Sequence, residues 1–119
     1  MWLMTKHGFY SIVERRHGEF HVRSRERRDI ENLVERVPLP DAKIFDTPEA
    51  DYAVRLVVDR DTVRKIMVLL AETIDYSNFK GQIARTPDQR HKPYPAIHDL
   101  LVEILGGYGR KPFRRNTAN

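Results

Sequence analysis

Phe9-Tyr10-Ser11-Ile12-Val13-Glu14-Arg15-Arg16-His17-Gly18-Glu19-Phe20-His21-Val22-Arg23-Ser24-Arg25 decides how this chain folds. Two strand-like runs, Phe9 to Arg16 and Phe20 to Arg25, flank the turn Arg16-His17-Gly18-Glu19. Gly18 supplies the positive φ that the second position of a two-residue type I′ loop demands. In the regular register Arg16 faces Glu19, Val13 faces Val22, Ile12 faces Arg23 and Tyr10 faces Arg25. Phe9, Ser11, Val13, Phe20 and Val22 then share one face, and Tyr10, Ile12, Glu14, His21, Arg23 and Arg25 the other.

Outward from the hairpin, Ile30, Leu33, Val34 and Val37 repeat at i, i+3, i+4, i+7 and predict a helix that stops before Pro38 and Pro40. Ala42 to Asp46 reads as a short strand, Thr47-Pro48-Glu49-Ala50 as a turn and Tyr52 to Val58 as a strong strand. Tyr52, Val54, Leu56 and Val58 take one side of that strand, Ala53, Arg55 and Val57 the other. Asp59 or Asp61 caps the next helix, whose stripe is Val63, Ile66, Met67, Leu70 and Ile74. Ser77 to Ala84 predicts a short helix with Phe79 and Ile83 on one side, and Arg85 to Tyr94 a polar loop. A last helix starts around Pro95, buries Ile97, Leu100, Leu101 and Ile104, and ends at Gly106.

This order is ββαββα with two C-terminal helical additions, an α+β pattern. Glu19-Phe20-His21-Val22-Arg23 matches Asp51-Tyr52-Ala53-Val54-Arg55 as acid, aromatic, variable, Val, Arg, and each strand leads into a helix. The match suggests two βα half-units in a circularly permuted ferredoxin-like sandwich. The Phe20 and Tyr52 strands would lie parallel and adjacent at its centre, with the Phe9 and Ala42 strands outside them. The expected boundaries are one α+β domain over residues 1–106 and a disordered basic tail over 107–119.

At 119 residues, 40% hydrophobic and 32% charged, the chain suits one globular domain. It has no apolar run of 18 residues, which speaks against a membrane span or a secretory signal, and a cytoplasmic address is expected. Cysteine is absent, which removes disulfides, thiol nucleophiles and thiolate metal sites. The net charge of +4 is unevenly spread: residues 1–36, 37–79 and 80–119 carry +2, −3 and +5. His17 and His21 are four apart but separated by Gly18, so they do not form the one-face pair of a metal-binding helix. His91 falls in the polar loop and His98 on the outer side of the last helix. With no Gly-rich phosphate loop after a strand and no Gly-x-Ser-x-Gly elbow, neither a catalytic residue nor a metal or cofactor site is assigned.

The sequence therefore favours a binding or interaction module over a small metal-independent enzyme. In the permuted sandwich the helices cover Val13, Phe20, Val22, Val54 and Leu56. The opposite face keeps Tyr10, Ile12, His21, Arg23 and Arg55 as the candidate interaction surface, with Val57 beside them. Three uses compete: cover by the last helix, a protein partner or a second subunit in a homodimer; a small anionic ligand held by Arg23 and Arg55; and single-stranded nucleic acid. The last needs aromatics interleaved with arginine, and only Tyr10 qualifies.

Met1-Trp2-Leu3, Gly8-Phe9-Tyr10-Ser11-Ile12-Val13, Val22-Arg23-Ser24-Arg25 and Ile74-Asp75-Tyr76-Ser77-Asn78-Phe79-Lys80 are similar to small bacterial proteins of an uncharacterised family, over roughly residues 1–84. The resemblance implies a bacterial cytoplasmic protein and brings no activity, cofactor or catalytic residue. Polyanion attraction is expected mainly in the tail, from Arg110, Lys111, Arg114 and Arg115. Residues 1–106 carry 17 basic and 17 acidic side chains, so weak, non-specific nucleic-acid binding is the most the charge predicts.

Overall fold

A five-stranded antiparallel sheet and four helices form from the residues that the computed structural model describes, 1–39, 42–86 and 93–106. The strands are β1 (Trp2–Thr5), β2 (Gly8–Arg16), β3 (Glu19–Ser24), β4 (Ile44–Asp46) and β5 (Val54–Val58). The helices are α1 (Arg27–Arg36), α2 (Arg60–Glu72), α3 (Phe79–Ala84) and α4 (Pro93–Leu105). By compactness the chain divides into Met1–Asp75, which holds the sheet with α1 and α2, and Tyr76–Asn119, which holds α3 and α4. The tail beyond Gly106 lies outside the described residues.

Sheet order is β1-β2-β3-β5-β4. β3 and β5 are neighbours at its centre, as expected, but they run antiparallel, with Phe20 opposite Val58 and Ser24 opposite Val54. The expected parallel pair does not form. The α1 crossover delivers β4, not β5, in the direction of β3; the chain then doubles back and β5 enters between them. An antiparallel strand pair needs only a short turn, whereas a parallel pair needs a crossover of its own.

The hairpin carries the more consequential difference. Arg16 faces Glu19 as expected, but Glu14 faces Phe20, Val13 faces His21, Ile12 faces Val22 and Ser11 faces Arg23. Arg15 is the extra residue of a β-bulge. With a side-chain period of two, this one-residue slip exchanges the two faces of β2. Tyr10 and Ile12, placed on the open face by the sequence, are core residues at 0% and 8% exposure, packed with Val22 and Leu56. Phe9, Ser11 and Val13 take the opposite face. The core accepts Tyr10 because its hydroxyl donates to the Asp29 backbone carbonyl at 2.7 Å, which satisfies the polar end of a buried ring.

Deleting Arg15 would make the hairpin regular while keeping Ile12 opposite Val22. The variant is expected to fold with a loss of at most about 1 kcal/mol, whereas deleting Val13 together with Arg15 leaves no bulge to absorb the second residue, reverses Tyr10 and Ile12 and unfolds the sheet. Urea denaturation of the two deletions checks this.

α1 buries Ile30 and Leu33, with Val37 closing the stripe before Pro38. α2 is capped by Asp59, whose side chain accepts from the Thr62 amide at 2.8 Å, and buries Ile66 and Leu70. Ile74, expected in that stripe, lies past the helix end and is exposed. In the second unit Asn78 caps α3 by accepting from the Gly81 amide, and Phe79 stacks on Tyr94 at 5.8 Å. Of the stripe expected to be buried on α4, Ile97 is half-buried but Leu100, Leu101 and Ile104 are exposed, and Tyr94 is the buried residue of that helix. β1 has no counterpart in the sequence-based expectation, because Trp2-Leu3-Met4 is too short and too uniformly apolar to show an alternation.

Candidate functional site

Core residues of the sheet point toward α1 and α2; the other face is built from the intervening positions of every strand. One row runs across all five: Trp2 opposite Ser11, Ser11 opposite Arg23, Arg23 opposite Arg55, and Arg55 opposite Phe45. Four strand spacings separate its ends, about 19 Å. Val13, His21 and Val57 form the adjacent row on one side, and Met4 lies opposite Phe9 on the other. Trp2 and Phe9 meet edge to face, centroids 5.9 Å apart.

At the centre, two arginines lie side by side with no acid paired to either among the described residues. The Arg23 Nη2 donates to Ser11 Oγ at 2.8 Å, and its guanidinium carbon sits 4.5 Å from the centroid of the Tyr52 ring, which also receives Arg25 at 4.5 Å. Arg55 approaches His21 Nδ1 at 3.2 Å through Nη1 and donates to the Tyr52 carbonyl at 3.4 Å through Nη2. Both guanidiniums are partly buried, both Nε atoms are buried without a hydrogen-bond partner, and neither side chain forms an ion pair with a described carboxylate. Burial, then the charges of Arg23 and Arg15, holds the pKa of Arg55 below the ordinary guanidinium value. Two partly buried like charges side by side favour an anion.

His21 reports on the same field. A guanidinium is only a donor, so His21 Nδ1 accepts from Arg55 and the neutral ring carries its proton on Nε2, 3.6 Å from Glu19 Oε2. Burial lowers the His21 pKa below its usual 6.5; Glu19 pulls it up, and Arg55 and Arg15 push it down. The unfolded chain therefore binds this proton more readily than the folded one. Stability is full above pH 6.5 and declines as pH falls through that value toward the lower folded-state pKa. His21→Gln is expected to remove this component, read as a flatter dependence of the unfolding midpoint on pH between about 7 and 5.

The structure thus brings together three of the five residues proposed for this face, His21, Arg23 and Arg55, and buries the other two, Tyr10 and Ile12, beneath it. Arg110, Lys111, Arg114 and Arg115 lie outside the described residues. Trp2, Phe9, Phe45, Tyr52 and Arg15 were not read as part of the site. Arg55 on an outward position of β5 was the one signal pointing to Phe45, its cross-strand partner; Trp2 required a strand the sequence did not show. No family model, no curated protein and no solved structure matches this chain. Among the described residues no group of three or more His, Asp or Glu side chains gathers as a metal would need, and no helix is long and apolar enough to cross a membrane. A cleft bounded by Pro38, Leu39, Val58 and Lys65 lies near the start of α2 and contains neither Arg23 nor Arg55.

Proposed function

We propose that the protein is a binding module whose open sheet face takes an oxyanion, phosphate or carboxylate in character, between Arg23 and Arg55. The observation that carries this is the adjacent pair of partly buried guanidiniums that pair with no carboxylate among the described residues. His21 beside Arg55 supports a ligand site over a simple self-association surface. A twofold dimer centred on this face would bring two such clusters together, and like charges directly opposed are unfavourable. The sheet order β2-β3-β5-β4 with α1 and α2 supports reading the scaffold as a permuted ferredoxin-like sandwich. The bacterial, cytoplasmic setting rests on the resemblance of residues 1–84.

Inorganic phosphate tests the site. At ten times its dissociation constant a ligand adds about 1.4 kcal/mol to stability, a midpoint shift of roughly 6 °C for a domain this size. Arg23→Ala is expected to abolish the shift, with chloride at equal ionic strength as the control. An equal shift in Arg23→Ala and in the unaltered protein overturns the assignment.

A further inference from the structure

We propose that the ligand of this face is single-stranded nucleic acid, its phosphodiester backbone on Arg23 and Arg55 and its bases on the aromatic rings flanking them; the inference rests on the anion site above and adds the bases. The register puts a ring at each end of the arginine row. Trp2 is 70% exposed at the β1 edge and Phe45 is 45% exposed on β4, with Phe9 against Trp2. Such rings are ordinarily a liability on an open sheet, and stacking on unpaired bases gives them a use.

Charge selects a polymer over a single small anion. Besides Arg23 and Arg55, Arg25 packs on Tyr52, and Arg15 is near enough to disfavour the protonated forms of His21 and Arg55. Glu19 is the acid that faces His21. Several cations gathered midway along a row about 19 Å long suit a chain of phosphates that crosses the strands between the end rings. The same surface excludes a duplex as the preferred form: a sheet face of this breadth does not enter a groove, and paired bases present no free ring to Trp2 or Phe45. Stacking is sequence-tolerant because every base has a π-face, so the expected ligand class is a single strand without strict sequence demand.

This differs from attraction by Arg110, Lys111, Arg114 and Arg115, which would act on phosphates and ignore bases. The test uses the full chain, whose one tryptophan is Trp2. A labelled twelve-residue oligothymidylate and an abasic phosphodiester of the same length are titrated, following polarisation and Trp2 fluorescence. The oligothymidylate is expected to quench Trp2 and to bind roughly 10-fold more tightly than the abasic chain. Phe45→Ala and Trp2→Ala, both exposed positions, are each expected to weaken the oligothymidylate by roughly 5- to 100-fold and leave the abasic chain unchanged. Equal affinity for the two oligomers, or an unaltered affinity for oligothymidylate in Phe45→Ala, overturns the nucleic-acid assignment and leaves the anion site standing. Loss of the phosphate response failing to occur in Arg23→Ala overturns both.

Discussion

Gly8→Ala is expected to lose at least about 3 kcal/mol of stability. Gly8 joins β1 to β2 with φ of 157°, and a Cβ there would lie 2.6 Å from Asp29 Cβ and 2.7 Å from Asp29 Oδ1. Asp29 cannot yield: its carboxylate accepts from the Phe9 amide at 3.1 Å while its carbonyl accepts from the Tyr10 hydroxyl at 2.7 Å. The Thr5 hydroxyl closes the same turn, donating to the Gly8 carbonyl and accepting from the His7 and Gly8 amides. Relief would have to come from moving a buried helix start or a strand. Gly18→Ala is the matched control, since Gly18 also has positive φ, 77°, but nothing lies within 4 Å of an added Cβ. It is expected to cost only about 1 to 2 kcal/mol, the backbone term alone. Thermal midpoints should therefore fall by roughly 15 °C for the first variant and half that or less for the second. Equal losses would show that the Asp29 overlap is relieved elsewhere.

Arg55→Leu is expected to separate stability from binding. Leucine fills much of the same apolar stem volume and removes the charge that Arg23 and Arg15 oppose. The cost is the contact to His21 Nδ1 and a long bond to the Tyr52 carbonyl. Without ligand the variant should be as stable as the unaltered protein or gain up to about 1 kcal/mol, because replacing a desolvated charge by an apolar side chain is often neutral or favourable. Its affinity for phosphate should fall by roughly 10- to 100-fold, the range expected when a charged hydrogen-bonding partner is lost. His21, relieved of Arg55, should also titrate at higher pH, visible in the pH dependence of its ring proton resonances. A variant that loses stability and keeps its phosphate affinity would show that Arg55 serves the fold and not a ligand.

The residues that form the site were partly readable beforehand for a simple reason. Arg55 and Val57 alternate with Val54, Leu56 and Val58 within five residues of one strand, so their outward placement is local. Arg23 and His21 alternate with Phe20 and Val22 in the same way. Tyr10 and Ile12 fail for the complementary reason: their own strand is just as regular, but its phase relative to β3 passes through Arg15, and nothing in the local pattern marks an unpaired residue there. Tyr52 was assigned to the core side by extending the β5 alternation too far; the strand begins at Val54, and the ring instead stacks beneath Arg23 and Arg25.

The sequence by itself determined the pieces whose signal is contained within a few residues: the turn at Gly18, the α1 stripe through Ile30 and Leu33, the Asp59 cap of α2, the outward arginines on β3 and β5, and the α+β class. Tertiary structure decided everything that depends on how one piece is phased against another. It set the antiparallel entry of β5 between β3 and β4 and added β1 as an edge strand. It also chose the bulge that turns Tyr10 inward and Phe9 outward. The physical reason is that a period of 2 or 3.6 is written into neighbouring side chains, whereas register and direction are settled by which distant partners each strand can bury and hydrogen-bond. Here the buried bond from Tyr10 to the Asp29 carbonyl and the packing of Ile12 with Val22 outweigh one residue left out of the ladder.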